Sequence, residues 1–186
     1  MRKLVVFNSV TLDGYFSGPN GDLSWAHRPK DPEWDAFVAE NASGGGLLLF
    51  GRITYELMAG YWPTPLARQN DPAVADHINN LQKVVFSRTL DSATWANTKL
   101  VKNNPAAEVR KMKNESGKGI TILGSGSIVS QLTQEHLIDE YQIVVIPVVL
   151  GNGKTMFEGI KEKSTLKLTK TRAFRNGNVL LSYERA

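Results

Sequence analysis

Four short apolar runs set the terms of the fold. Leu47-Leu48-Leu49-Phe50, Lys83–Leu90, Gly119–Leu123 and Tyr141–Leu150 each read as a buried strand. A fifth run, Lys3–Val10, opens the chain in the same way. Apolar strands of this kind belong to a mostly parallel sheet covered on both faces by helices. The segments between them supply the helices. Asp31 is placed to cap a helix that begins at Pro32, with Glu33 in its first turn and Trp34, Phe37 and Val38 as its apolar stripe. Gly44-Gly45-Gly46 closes it. A second helix follows Gly51-Arg52-Ile53-Thr54, and a third follows Asp71-Pro72 with Asp71 as its cap. The segment from Trp62 to Pro72 between them reads as a proline-rich surface loop. Pro105–Glu115 and Ser127–Tyr141 are also helical in pattern, the latter with Ile128, Val129, Leu132, Leu137 and Ile138 inward. Asn97–Val101 is a further strand.

After residue 150 the pattern changes. Arg175-Asn176-Gly177-Asn178 separates two strand-like runs and signals a hairpin. The expectation is a single domain over residues 1–186. Its class is α/β: a three-layer αβα fold with a mostly parallel sheet ending in an antiparallel hairpin.

Several function classes are excluded or weakened by composition. The 186 residues contain no cysteine, so disulfides and thiolate metal sites are out. His27, His77 and His136 have no partner at helical spacing, and no metal site is expected. Arg2 and Lys3 precede an apolar run, but Asn8, Thr11 and Asp13 interrupt it, so a cytoplasmic protein with no membrane segment is expected. The net charge of +4 fits either nucleic acid or a small polyanionic ligand. The densest basic cluster, Arg110-Lys111-Met112-Lys113, sits on a predicted helix and reads as a solvated face, which argues against nucleic acid. No serine-nucleophile elbow occurs, and Gly151-Asn152-Gly153-Lys154-Thr155 lacks the spacing of a phosphate loop.

Gly124-Ser125-Gly126-Ser127-Ile128 is more informative. It joins a strand to a helix and approaches the dinucleotide fingerprint. That fingerprint also needs an acidic residue closing the next strand, and Tyr141–Leu150 has none. Alone, the turn is either a phosphate cradle or a tight turn with Ser127 capping the helix. Two other strand ends change the weighting. Gly51-Arg52-Ile53-Thr54 and Ser87-Arg88 place guanidinium and hydroxyl groups where an open α/β sheet binds ligands. Three strand ends thus converge on anion binding.

These motifs, with the closing hairpin, resemble the dihydrofolate reductase fold. Thr11-Leu12-Asp13-Gly14 and Pro147–Gly153 are closer still to the C-terminal reductase domain of the bifunctional riboflavin-biosynthesis deaminase-reductase and its stand-alone relatives. The resemblance covers essentially the whole chain. It implies NADPH as cofactor, with Gly51, Arg52 and Thr54 on the pyrophosphate side and Ser87 and Arg88 at the 2′-phosphate. Gly124, Ser125, Gly126, Ser127 and Ile128 would wrap the pyrophosphate and approach the nicotinamide. The family's second glycine is Ser125 here. Ser9, Asp13, Trp25 and Asp35 would line the substrate, and Glu33 or Asp13 would serve the proton. The implied reaction is hydride transfer to a C=N or carbonyl carbon of a small heterocyclic or ribosyl substrate, by a homodimer with no nucleic-acid partner. The alternative is a catalytically silent NADPH-binding module.

Overall fold

The apolar runs become the middle of one sheet. A computed structural model describes residues 1–26 and 31–186. In chain order the elements are β1 (Leu4–Thr11), β2 (Tyr15–Ser17), α1 (Pro32–Gly44), β3 (Leu47–Gly51), α2 (Arg52–Tyr61), α3 (Pro65–Asn70), α4 (Pro72–Asn80) and β4 (Gln82–Phe86). Then follow β5 (Thr98–Val101), α5 (Pro105–Asn114), β6 (Ile120–Leu123), α6 (Gly126–Gln134), β7 (Glu140–Ile146), β8 (Lys154–Thr155), β9 (Leu166–Ala173) and β10 (Val179–Arg185). The sheet order is β5-β4-β3-β6-β1-β7-β10-β9. All neighbours from β5 to β7 pair in parallel, and β10 runs antiparallel to both β7 and β9. The expected three-layer αβα fold with a C-terminal antiparallel hairpin is the one observed.

Alternation along each strand divides the core in two. Leu4, Val6, Leu49, Ile120 and Ile122 face Val109 of α5 and Val129 and Leu132 of α6, all fully buried. On the other face, Leu48, Phe50 and Val85 pack on Tyr55 of α2, Ile78 of α4 and Trp95. Further along that face Val144, Ile146 and Leu180 meet Trp25, Phe174 and the α1 side chains Trp34 and Phe37.

The chain departs from its sequence pattern at several places. Residues 65–70 are not loop but α3, because the Thr64 hydroxyl accepts from the Ala67 N–H and Pro65 fits the first helical position. Asp71 stands at the start of α4 but makes no side-chain cap bond. The helix expected through Tyr141 stops at Gln134. His136 adopts φ 53°, the Leu137 N–H donates to Leu132 O at 3.0 Å, and the His136 N–H donates to Thr133 O. This is a Schellman end built on histidine rather than glycine, so no sequence signal marks it. Strand β4 ends at Phe86, since the Ser87 hydroxyl accepts from the Thr89 and Leu90 amides and turns the chain. Strand β7 ends before Pro147, and the small ribbon of β2 with β8 lies outside any expected element. In the basic cluster, Lys113 is not solvated: it is buried and pairs with Asp139 while donating to Leu137 O.

One buried cation belongs to the fold. Lys83 of β4 is 1% exposed. Its ammonium donates to Asn79 O (3.0 Å), Leu81 O (2.7 Å) and Ala96 O (3.1 Å) and stands 4.6 Å from the Trp95 ring centre. It thereby satisfies carbonyls at the C-terminal end of α4. Burial pulls its pKa down to about 8 from 10.5. The unfolded chain therefore binds more protons than the folded one between those values, and the Lys83 contribution to stability grows as pH rises through that window. Lys83→Met should cost about 1–3 kcal/mol by stranding buried carbonyls. In denaturant titrations the gap between the two proteins should widen from pH 8 towards pH 10.5; a gap independent of pH would contradict this.

Candidate functional site

The topology makes a crevice where β3 and β6 lie side by side. From β3 the chain leaves through α2 on one face of the sheet; from β6 it leaves through α6 on the other. Such a switch point, at the carboxyl ends of the strands, is where open α/β sheets hold ligands. A cleft of about 970 Å³ opens there.

Its floor is a network of short bonds between three strand ends. The Asn8 side chain on β1 takes both backbone groups of one residue: its amide donates to Gly124 O at 2.9 Å, and its oxygen accepts from the Gly124 N–H at 2.5 Å. Gly124 has φ +59°, and a Cβ there would lie 2.6 Å from Thr54 Cγ2. The φ favours glycine and the close contact with Thr54 excludes any side chain. Ser125 follows in the left-handed region as well, at φ 61° and ψ 50°. Three hydrogen bonds hold it there. Its N–H donates to Thr54 Oγ1 at 2.9 Å, and its hydroxyl accepts from the Gly51 N–H at 2.8 Å and donates to Leu123 O at 3.0 Å. So Ser125, not Ser127, is the residue that starts α6, and Ser127 lies within its first turn.

The two helices that open onto the cleft have free N-termini. The side chains of Asp31, Thr64 and Asn104 cap α1, α3 and α5. Gly51 and Ser125, which stand before α2 and α6, make no such bond to their helices. In α6 the Ile128 N–H already donates to Ser125 O, which leaves the Gly126 and Ser127 amides, with the first amides of α2, to meet an anion. Arg52, half exposed, forms a two-pronged pair with Glu56 at 3.0 and 3.2 Å.

Of the residues singled out in the sequence, Ser9, Trp25, Gly51, Arg52, Thr54, Ser87 and Gly124 through Ile128 all line this cleft. Four do not. Arg88 is exposed beyond the end of β4. Asp35 on α1 faces solvent. Glu33 pairs with Arg172 of β9 at 2.9 Å, and that guanidinium stacks 4.7 Å from the Phe174 ring. Burying Trp34 and Phe37 against Phe174 and Phe7 sets this rotation of α1 and presents Val38 and Asn41 to the cleft instead. Asp13 accepts from the Thr11 hydroxyl (2.6 Å), the Gly151 N–H (2.7 Å) and the Leu150 N–H. The Thr11 bond, helped by the two amides and opposed by desolvation, holds its carboxyl below the usual range. It ties the β1–β2 turn to the segment after β7 rather than reaching the cleft.

Sequence reasoning missed Asn8, Phe16, Asn41 and Met156, all in the lining. The one legible signal was Asn8, a polar side chain within a buried strand; it is 5% exposed. Among the described residues no cluster of three or more His, Asp or Glu side chains is arranged to hold a metal, and no helix is long and apolar enough to cross a membrane. His27 lies outside the described residues.

The Ser125 geometry yields a stability order. Ser125→Ala loses the hydroxyl bonds and keeps the left-handed backbone; Ser125→Gly loses the same bonds and relieves the backbone. The glycine variant should be the more stable of the two by about 1 kcal/mol, with both below the parent because the Gly51 N–H is left unpaired. Denaturant unfolding measures it, and equal stability of the two variants would refute the strain argument.

Comparison with known proteins agrees with this architecture. The family model described as RibD C-terminal domain matches residues 2–180. Two curated relatives come from Bacillus subtilis (strain 168). Uncharacterized protein YyaP is 30% identical over 98% of this chain and 94% of its own length, and Uncharacterized protein YwjB is 29% identical over 100% and 99%. Among solved structures, a protein from Shewanella sp. PV-4 whose name ties it to riboflavin biosynthesis superposes with TM-score 0.76 at 22% identity, covering 99% of both chains. The diaminohydroxyphosphoribosylaminopyrimidine deaminase/5-amino-6-(5-phosphoribosylamino)uracil reductase of Thermotoga maritima gives 0.71 at 14% identity, over 100% of this chain and 57% of that one. At these identities the two structures speak to the fold, while the family match spans nearly the whole sequence: the chain belongs to the RibD C-terminal domain family.

Proposed function

We propose that this protein is an NADPH-dependent reductase that transfers hydride to a C=N or carbonyl carbon of a small heterocyclic or ribosyl substrate. The observation that carries the reading is the pair of uncapped helix N-termini, α2 and α6, opening together on one cleft at the switch point of the sheet. The match to a family named after a riboflavin-pathway protein, and the fold shared with a solved reductase, support it.

The residues present fit the cofactor. The amides of Arg52, Gly126 and Ser127 would take the pyrophosphate, with the Arg52 guanidinium beside them. Thr54 and Ser125 would act through the backbone they hold in place. Ser87 in the lining, with the exposed Arg88 reaching in from beyond the end of β4, would meet the 2′-phosphate. Bound NADPH would supply the hydride. The protein's part is to orient, to exclude water from the apolar wall and to let a proton reach the nitrogen or oxygen that receives the electron pair. Glu158 is the one carboxylate among the described lining residues.

A second reading, a silent NADPH-binding module, draws support from the placement of Asp13, Glu33 and Asp35 outside the cleft lining. NADPH binding without oxidation across pteridines, pyrimidinones and simple carbonyls would favour it over the first. The proposal also includes a homodimer, supported by the open, largely exposed edge strand β9. Light scattering at the mass of a single chain would remove that part.

A thermal-shift titration tests the cofactor. At a hundredfold excess over Kd, NADPH should stabilise the protein by about 3 kcal/mol, and NADH clearly less. Arg88→Ala should lower the preference for NADPH by about tenfold. No shift with either nucleotide would sink the reading, and an unchanged preference would remove Arg88 from it.

A further inference from the structure

The cleft divides by element. Its β3–α2, β4 and β6–α6 side carries the anion-binding groups. Its other side is built from β1, residues 15–26, the second half of α1 and the strip from β8 to Glu158. We infer that this second side takes an uncharged, largely apolar ring compound bearing neutral hydrogen-bonding groups, and not a phosphorylated or cationic one; the inference rests on the reductase reading of the same cleft.

The wall here is Phe16, Trp25, Val38 and Met156, with Trp25 and Met156 buried. Among the described residues its polar groups are neutral: the Asn41 amide and the hydroxyls of Ser9 and Ser17. The Asn8 amide, behind them, is spent on Gly124 and on Met156 Sδ. Among the described residues charge is kept to the rim. Lys154 and Glu158 are exposed and opposite in sign, and Arg52 is exposed and paired with Glu56. The acids of α1 point elsewhere: Glu33 to Arg172, Asp35 to solvent, and Glu40 into a separate hollow of about 590 Å³.

Rotation of α1 therefore presents the Asn41 amide to this wall and none of the helix's carboxylates. An amide offers both a donor and an acceptor, and matches a ring edge that presents a C=O beside an N–H. A phosphate or an amidinium moved against Trp25, Phe16 and Val38 would lose its hydration with no opposite charge beside it among the described residues. The same surfaces reward an uncharged ring, because burying it removes apolar area from water on both partners.

Calorimetric titration with three probes tests this: lumazine as the uncharged dione, pterin as the ring with an amidine-like edge, and uridine 5′-phosphate as the phosphorylated pyrimidine. Each is titrated with and without saturating NADP⁺, so that failure of NADP⁺ to bind counts against the reductase reading while the order of the probes is still read. Lumazine should bind at least about tenfold more tightly than uridine 5′-phosphate. Asn41→Asp should weaken lumazine and strengthen pterin, reversing their order, while thermal unfolding reports that the variant is folded. Tighter binding of the phosphate ester than of lumazine would overturn the proposal. So would an Asn41→Asp protein that is folded yet keeps the parent's order, or failure of all three probes to bind while NADP⁺ does.

Discussion

The hold that Asn8, Thr54 and Ser125 keep on the turn at Gly124 is the constraint on which the rest of the site depends. It joins β1, β6 and the β3–α2 junction through bonds of 2.5 to 2.9 Å. Each bond satisfies a buried group that would otherwise cost free energy, and together they leave the chain one conformation. Two successive left-handed residues are unfavourable in isolation, and only Gly124 escapes the penalty through its missing Cβ. Ser125 remains because its hydroxyl closes the gap between two strands. The side-chain capping capacity that would quiet the α6 N-terminus is used to lock the sheet instead. That is why the same turn is both rigid and electropositive.

A second consequence follows from how α1 is seated. Its aromatic side chains lock against Phe174 and Phe7, and Arg172 bridges Phe174 and Glu33. Apolar contacts of this size outweigh the preference of a single carboxylate, which can be satisfied by an arginine at the surface. The helix therefore shows the cleft Val38 and Asn41. A shared fold leaves such a rotation free to differ, and chemistry lives in the side chains it presents.

Much of the architecture was legible in the chain. Leu47–Phe50 and Gly119–Leu123 read as buried strands because they are short, apolar or β-branched, and bounded by glycine, which suits a strand better than a helix of three turns. The Asp31-Pro32 start of α1 and the Arg175–Asn178 hairpin followed from local backbone chemistry alone. Local chemistry failed where the deciding partner was distant or unusual. The end of α6 turns on a histidine in a glycine-like conformation, and α3 depends on one threonine cap within a proline-rich stretch.

For the site the division is sharper. The sequence by itself determined which glycines, hydroxyls and guanidinium groups stand at the ends of β3, β4 and β6, since each is bonded in series to its strand. Only the tertiary structure decided that Asn8 holds the turn from 116 residues away. It also sent Asp13 to Leu150 and Gly151, and turned Glu33 toward Arg172. The physical reason is the same in each case. A strand end is positioned by its own chain, whereas a side chain's direction is settled by whichever distant partner packs or bonds with it best.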